Sequence, residues 1–142
     1  MKIARAETAE ARDACFAVRR AVFIEEQRIP EAEEWDAHDA GCIHYLAGDD
    51  TAPMGTARLI AKGAEAKIGR VAVMRAARGT GLGRQIMEHV VQDAKTMGFT
   101  TAMLESQLAA IGFYEGLGFI AEGPEYDDGS GILHRVMRCA LR

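Results

Sequence analysis

The sequence predicts one α/β domain, of the α+β kind, whose mixed and mostly antiparallel sheet carries helices on both faces. A chain of 142 residues with 49% hydrophobic residues has the right size and composition for one compact core. Segments with strand and helix patterns follow one another in the order β-α-(α)-β-β-β-α-β-α-β-β. Antiparallel meanders combined with a β-α-β crossover require such a mixed sheet. We therefore expect residues 1–142 to form a single domain.

The N-terminal half supplies a short strand, a helix and an antiparallel strand pair. Residues 3–6 suit a short edge strand, and Thr8 is a suitable N-cap for the helix that follows. That helix should end before Pro30, because the residue preceding a proline avoids helical geometry. Residues 42–47 and 54–60 predict two strands joined by a turn. The apolar positions that give the first helix its period are Ala11, Ala14, Cys15, Val18 and Val22.

The C-terminal half contains the crossover and a final hairpin. Its predicted strands are residues 66–73, 99–105, 119–126 and 132–141. A long helix ends at Gly98, and a shorter one, carrying Tyr114, ends at Gly118. The apolar face of the long helix consists of Leu82, Ile86, Met87, Val90, Val91, Ala94 and Met97. The apolar side of the shorter helix consists of Ala110, Phe113, Tyr114 and Leu117.

Composition argues against several classes of function. The net charge of −4 argues against a nucleic-acid-binding surface. No apolar run approaches the roughly 20 residues of a membrane-spanning helix, and the N-terminus lacks the apolar core of a signal peptide. Three cysteines cannot all pair and show no Cys-x-x-Cys spacing, and the four histidines show no metal-ligand spacing. We expect a reduced, cytoplasmic protein without a metal centre.

The strand that ends at Val73 runs into a loop rich in arginine and glycine, and this loop opens directly into the long helix. Glycines allow the backbone to turn and to approach a ligand without a side chain in the way. The free N–H groups of the first helical turn, together with the helix dipole, then favour an anion. Arg78 and Arg84 add full positive charges. A site for a phosphate-bearing cofactor is therefore predicted at Arg78-Gly79-Thr80-Gly81-Leu82-Gly83-Arg84.

Three kinds of phosphate loop compete for this segment. A P-loop needs Gly-Lys-Ser/Thr, which does not occur in the sequence. A dinucleotide loop needs Gly-x-Gly-x-x-Gly/Ala, but Arg84 and Ile86 occupy the last position in the two possible frames. Glu105 keeps that alternative open, because it lies where a ribose-binding acid would be. The pattern Arg/Gln-x-x-Gly-x-Gly/Ala fits at every fixed position.

This third pattern resembles the pyrophosphate loop of the GCN5-related N-acetyltransferases. A second block, residues 104–119, is similar to the family's later motif, which ends in Phe-Tyr, a short spacer and Leu-Gly-Phe. Residues 20–27 and the tail 131–134 resemble a small bacterial branch, the ElaA/YjcF-like acetyltransferases, although Leu133 stands where that branch usually has proline. The same branch resemblance includes Glu34, Asp36, Asp39 and His44, so it covers almost the whole chain.

The resemblance implies the acetyltransferase fold and acetyl-coenzyme A as co-substrate. In this fold the strands that end near Val73 and Glu105 run parallel but splay apart, and the gap holds the thioester. The glycine-rich loop would bind the pyrophosphate, strand backbone would bind the pantetheine arm, and a backbone N–H near Ala72 or Val73 would meet the oxyanion. Gln107 either caps a helix or contacts the cofactor. The implied cofactor-binding residues are Val71, Ala72, Val73, Arg78, Gly79, Thr80, Gly81, Leu82, Gly83, Arg84, Gln107 and Tyr114.

Acetyl transfer from a thioester to an amine also needs an acid and a base. Tyr114 matches the family's acid by position, and a phenol with a pKa near ~10 can protonate a leaving thiolate. For the base, Glu105 is favoured because it ends the strand that borders the gap. Glu26 and His134 are alternatives that the bacterial branch suggests. An ordinary packing or surface role stays open for each of these side chains.

The predicted activity is acetyl-coenzyme A-dependent transfer of an acetyl group to a primary amine of an unidentified acceptor. Residues 25–39 carry seven acids, which indicates either a cationic small-molecule or peptide amine as acceptor or a solvated loop. Two other functions stay open, a non-catalytic acyl-coenzyme A sensor and a dinucleotide-binding module. We expect no nucleic-acid or membrane partner, and an exposed final strand would allow a homodimer.

Overall fold

The structure, a computed structural model, describes residues 2–142, so Met1 lies outside the described part of the chain. Its strands are β1 (Ile3–Arg5), β2 (Ile43–Gly48), β3 (Pro53–Lys62), β4 (Glu65–Val73), β5 (Thr101–Gln107), β6 (Ile120–Asp127) and β7 (Leu133–Ala140). Its α-helices are α1 (Ala9–Arg19), α2 (Glu31–Glu34), α3 (Leu82–Thr96) and α4 (Ile111–Glu115). A π-helical segment spans Arg20–Glu26, and 3₁₀ turns span Ala37–Ala40, Arg75–Ala77 and Leu108–Ala110.

Within residues 2–142 the strands form one seven-stranded sheet in the order β1-β2-β3-β4-β5-β7-β6. Strands β4 and β5 are parallel neighbours, and the other neighbouring pairs are antiparallel. The parallel pair requires the crossover through α3, since parallel strands cannot be joined by a tight turn. The predicted mixed, mostly antiparallel sheet is therefore confirmed.

Strands β4 and β5 pair only over their first residues. Their register runs from Glu65 opposite Thr101 to Lys67 opposite Met103 and then stops. Strand β5 continues along β7 as far as Gln107, so it diverges from β4 and not from β7. The splayed central pair is confirmed, and the divergence opens a gap at the carboxyl ends of both strands.

The two long helices pack on opposite faces of the sheet, as predicted. Successive residues of a strand point to opposite faces. In β2, Tyr45 belongs to the core cluster that contains Ile86 of α3, whereas Leu46 clusters with Ala14 and Cys15 of α1. The larger cluster lies under α3, where that helix buries Leu82, Ile86, Met87, Val90 and Ala94.

The first helix differs from the continuous α-helix that its periodicity predicts. The α-helical part ends at Arg19, and the chain continues as a π-helical segment in which the Gln27 N–H donates to the Val22 carbonyl over 3.0 Å. The wider turn carries Val22 and Phe23 into a second cluster with Ile29 and Ala72. The segment ends before Pro30, as predicted, with Arg28 at a φ of 60°.

Strand β5 and the helix after it are shifted from their predicted bounds. The strand extends to Gln107 because β7 pairs with it residue by residue, up to Gln107 opposite His134. The helix is correspondingly shorter, with a 3₁₀ turn before Ile111 and its α-helical end at Glu115. Pairing across the sheet thus overrides the local helical pattern.

Candidate active site

A cleft of about 620 Å³ opens where β4 and β5 part. The lining includes β4, β5, α2, α4 and the loop between β6 and β7. Five of the predicted site residues meet here, namely Val71, Glu105, Gln107, Tyr114 and His134. Neither Glu26 nor the loop of residues 78–84 is part of this lining.

Strand β4 carries a bulge at the cleft. Thr56 of β3 lies opposite Ala72, but Arg58 lies opposite Gly69, so that Arg70 and Val71 together face one residue of β3. Arg70 has a φ of 52°, in the left-handed region that non-glycine residues rarely adopt. A bulge interrupts the ladder and leaves the extra residue unpaired. The resemblance implies an oxyanion site near Ala72 or Val73, but the irregularity of the strand lies at Arg70 and Val71, while Ala72 and Val73 keep partners in β3.

The glycine-rich loop has the conformation that its composition predicts. After the 3₁₀ turn, Gly79 and Gly81 have φ angles of 78° and 84°, and α3 begins at Leu82. A Cβ at either glycine would meet no atom within 4 Å, so backbone conformation, and not crowding, requires glycine here. No side chain caps the helix, which leaves the N–H groups of its first turn available to an anion.

The two arginines of this loop differ in their contacts. Arg78 donates from Nη1 and Nη2 to the Glu26 carboxylate over 2.6 and 2.7 Å, and from Nε to the Val73 carbonyl over 3.0 Å. Its hydrogen bonds hold the pKa of Glu26 below the usual value. Arg84 lies 3.6 Å from Glu88 in a largely exposed pair. The structure therefore joins Glu26 to the predicted cofactor loop and not to the cleft.

Both carboxylate oxygens of Glu105 have partners in the cleft wall. One oxygen lies 2.5 Å from Lys67 Nζ, and the other accepts a hydrogen bond from the Tyr126 hydroxyl. Burial alone would raise the pKa of Glu105, but the hydrogen bonds from Lys67 and Tyr126 outweigh it and lower the pKa. The carboxylate is ionised and its affinity for a proton is reduced.

His134 lines the cleft, and within residues 2–142 only one of its two ring nitrogens has a hydrogen bond. It is 6% exposed, and its Nδ1 lies 2.7 Å from the Ile132 carbonyl, which requires the proton on Nδ1. In the neutral ring Nε2 then carries a lone pair, and it lies 3.6 Å from the Asp128 carboxylate. The Asp128 carboxylate therefore lies beside the nitrogen that bears this lone pair.

Tyr114 lies on α4, with its ring packed edge-to-face against Phe113 and Phe119. Burial raises the pKa of Tyr114 to about 12, so the phenol stays protonated at neutral pH. Tyr114 and His134 line the same cleft. A protonated phenol and an imidazole therefore belong to the lining of one cleft.

The acidic run 25–39 is largely an ion-pair network, which neither sequence interpretation anticipated. Five of its seven carboxylates pair with arginines from outside the run. Asp36, held by Arg58 over 2.7 Å, has its pKa lowered to about 2 by that hydrogen bond. The pairs are Glu26–Arg78, Glu31–Arg20, Glu34 with Arg19 and Arg70, Asp36 with Arg58 and Arg70, and Asp39 with Arg19 and Arg58.

Asp39, Cys42 and His44 bring three possible metal-ligand atoms within 4.8 Å of one another, a grouping that motif spacing did not reveal. Asp39 already accepts from Arg19 and Arg58 over 2.6 and 2.8 Å. Burial also raises the pKa of the Cys42 thiol, which opposes the thiolate that a metal needs. We therefore do not assign a metal site to these three residues.

Comparison with known proteins places this geometry in a family. Residues 7–119 match the acetyltransferase (GNAT) family. The chain belongs to the GNAT family. It is 35% identical to Bacillus subtilis YyaT, an uncharacterised protein, over 140 residues, which are 96% of this chain and 94% of YyaT. It is 31% identical to the uncharacterised N-acetyltransferase YjcF of the same organism over 138 residues, 96% of this chain and 98% of YjcF.

Among solved structures, a Lactobacillus plantarum protein matches this GNAT chain with a TM-score of 0.92 and 31% identity, covering 99% of this chain and 98% of the other. The GNAT assignment identifies the chain as an acetyltransferase and gives the glycine-rich loop its family context. It supports neither a dinucleotide-binding module nor a P-loop. None of the helices within residues 2–142 is long and apolar enough to cross a membrane.

Proposed function

We propose that this GNAT chain transfers an acetyl group from acetyl-coenzyme A directly to a primary amine. The observation that carries the proposal is the cleft between β4 and β5, where a strand bulge, Tyr114 and His134 meet at the end of the strand that leads into the glycine-rich loop. Acetyl-coenzyme A would supply the acetyl group as a thioester. A direct transfer needs both substrates in one space, and the gap between splayed strands provides it.

The co-substrate would be held by backbone more than by side chains. N–H groups of residues 79–84 and the start of α3 suit the pyrophosphate, with Arg84 as an exposed positive charge. The edge of β4 beyond Lys67 has no partner in β5, so the backbone near Val71 and Val73 is suited to the pantetheine arm. Gln107 donates to Gln27 over 2.8 Å and lines the cleft, which supports a cofactor contact more than a helix cap.

The reaction needs a base, an oxyanion site and an acid. His134 Nε2 would take the proton of the amine, with Asp128 stabilising the imidazolium. The amine nitrogen would form a bond to the thioester carbon while backbone N–H groups at the Arg70–Val71 bulge meet the oxyanion. The C–S bond would then break, and Tyr114 would protonate the thiolate. Glu105 is the second candidate for the base. Glu26 is not proposed as the base, because its carboxylate is hydrogen-bonded to Arg78 outside the cleft.

The acceptor side of the cleft is formed by residues 32–36 and the loop that holds Asp128 and Ser130. Ion pairs neutralise Glu34 and Asp36. The carboxylates of Glu33 and Asp128 have no arginine or lysine partner within residues 2–142, so a cationic amine is proposed to meet these two acids. The acceptor would be a small molecule or a peptide amine.

Isothermal titration calorimetry with acetyl-coenzyme A, and with NAD in a parallel cell, tests the proposal first. We expect saturable binding of acetyl-coenzyme A alone, followed by thiol release on a panel of amines. Gly81→Asp should abolish binding, since it adds a side chain where φ is 84° and a negative charge at the anion site. Unchanged affinity in folded Gly81→Asp protein would refute the loop assignment. Binding without turnover on any amine would favour the acyl-coenzyme A sensor.

A further inference from the structure

We propose that Arg70 is a positioning residue that ties the strap, defined as residues 31–36, to the bulge of β4. Arg70 would thereby fix the position of the strap, which forms the acceptor side, relative to the β4 backbone that would face the thioester. The proposal rests on the proposed function for its kinetic consequence. The tie itself is a property of the fold and is tested separately.

The side chain of Arg70 directs its hydrogen bonds at the strap. Nε and Nη2 both donate to the Glu34 carbonyl, over 3.2 and 3.0 Å, and Nη2 also reaches the Glu33 carbonyl at 3.4 Å. The same head group lies 3.3 Å from the Glu34 carboxylate and 3.4 Å from that of Asp36. The carbonyls at the end of a helix have no partner within the helix, and Arg70 shares the Glu34 carbonyl at the end of α2 with Arg19, whose Nη2 donates to it over 2.9 Å.

The backbone conformation of Arg70 indicates that its side chain has a structural role. With a φ of 52° the position would suit glycine, and Gly69 is its neighbour in the strand. Strained conformations of this kind persist where the surrounding structure fixes them. An arginine at a bulge position that favours glycine is explained by its bonds to the strap.

The strap has other attachments that do not involve the bulge. Arg19 of α1 is 1% exposed and binds the Glu34 carboxylate over 2.8 Å, and Arg58 of β3 binds Asp36 over 2.7 Å. These contacts should keep the strap folded when Arg70 is removed. What Arg70 adds is the connection to the strand that lines the cleft, so its loss should change coupling more than folding.

Trp35, the single tryptophan of the chain, lies in the strap and lines the cleft. Its ring packs against Phe16 and lies 4.9 Å from the Arg19 guanidinium. Its fluorescence therefore reports on the strap without an added label. Quenching by acrylamide measures how well the strap is held, and the response to coenzyme A measures coupling to β4.

Arg70→Gly is the informative variant, because glycine accepts the backbone conformation and deletes the side chain. Arg28→Gly is the matched control, since Arg28 is the other non-glycine residue with positive φ among residues 2–142, at 60°, and it is exposed. We expect Arg70→Gly to raise the acrylamide quenching of Trp35 at least twofold and to lose the fluorescence response to coenzyme A. The Kd for coenzyme A by calorimetry should stay within about twofold of the parent protein. Arg28→Gly should match the parent protein in all three measurements.

On the best amine found for the parent enzyme, Arg70→Gly should lower kcat at least tenfold with an unchanged KM for acetyl-coenzyme A. Parent-like quenching in Arg70→Gly, or the same changes in Arg28→Gly, would overturn the tie. If the parent protein fails to bind coenzyme A, the proposed function falls, while the quenching comparison still decides the tie. Should Arg70→Gly not fold, Arg70→Lys must show the same pattern at smaller size, because one ammonium cannot span both contacts.

Discussion

Hydrogen bonding, more than residue type, separates the candidate bases of the cleft. Both carboxylate oxygens of Glu105 are paired, one with Lys67 and one with Tyr126, and this lowers the pKa of Glu105. In His134 only Nδ1 is hydrogen-bonded, to the Ile132 carbonyl, and Nε2 lies 3.6 Å from the Asp128 carboxylate. The sequence placed both residues at the cleft, yet their order of preference depends on partners distant in the chain. The sequence favours Glu105 as the base, and the order proposed here is the reverse, because it depends on these hydrogen-bond partners.

Exchanging each base candidate separately tests this ranking. We expect His134→Gln to lower kcat by about two orders of magnitude, because the amine loses its proton acceptor. Glu105→Gln should lower kcat by less than about tenfold, since its carboxylate is already occupied. The measurement is steady-state thiol release over a range of pH. A larger loss in Glu105→Gln than in His134→Gln, with both proteins folded, would return the role of base to Glu105.

Tyr114→Phe tests the acid in the same assay. Removal of the hydroxyl leaves the aromatic packing against Phe113 and Phe119 in place but deletes the proton for the leaving thiolate. We expect kcat to fall about a hundredfold while the Kd for acetyl-coenzyme A changes little. Equal turnover of Tyr114→Phe and the parent protein would show that another group protonates the thiolate.

At the scale of elements, the sequence predicted the features that depend on residues close together in the chain. The order of strands, the glycine-rich turn and the start of α3 followed from periodicity and from glycine positions. Three features did not follow, namely the π-helical segment, the bulge at Arg70 and the arginine partners of the acidic run. The Arg70–Glu34 contact joins residues 36 positions apart, and such pairings leave no pattern in a single sequence. Of the arginine partners of the acidic run, only Arg19 could have been suspected from the sequence. It follows Val18 on a helix whose apolar face is buried.

The link between the π-helical segment and the cofactor loop leads to a prediction about affinity. Glu26 neutralises Arg78, which otherwise adds a positive charge beside the pyrophosphate site. We expect Glu26→Gln to bind coenzyme A about two- to fivefold more tightly at low salt, with a smaller gain as salt increases. Glu25→Gln is the control, because it removes the same charge from the neighbouring, exposed position. Weaker binding in Glu26→Gln than in the control would mean that Glu26 orients Arg78 for its ligand.

For the whole molecule, the sheet ends in β6, an edge strand with eight residues. The final strand β7, which the homodimer prediction takes as exposed, is paired on both sides by β5 and β6, and the exposed edge is instead β6, where Ile120 is 72% exposed. Pro124 and the register shift between Glu122 and Tyr126 interrupt the same edge, and both features oppose the addition of a further strand. The homodimer stays a prediction, and an interface would have to use side chains more than strand pairing.

The tyrosines give the folded protein a predictable response to alkaline pH. Burial raises the pKa of Tyr114 to about 12, and the pKa values of Tyr45 and Tyr126 are also raised by burial and by hydrogen bonds to carboxylates. An unfolded tyrosine ionises near ~10. Above that pH the unfolded chain has lost phenolic protons that the native protein keeps. Because the unfolded state then binds fewer protons, the free energy of unfolding must fall as pH rises from about 10 towards 12.

The Tyr114 contribution to this loss is on the order of 2–3 kcal/mol, from a shift of about two pKa units. Urea unfolding between pH 9 and 12 measures it, and near-ultraviolet tyrosinate absorbance shows that the native protein keeps its phenols protonated. Tyr114→Phe should lose less stability over the same range than the parent protein, since its phenylalanine cannot ionise in either state. Tyrosinate absorbance appearing near pH 10 in folded protein would contradict the raised pKa values, and with them the claim that Tyr114 is buried enough to hold its proton for the leaving thiolate.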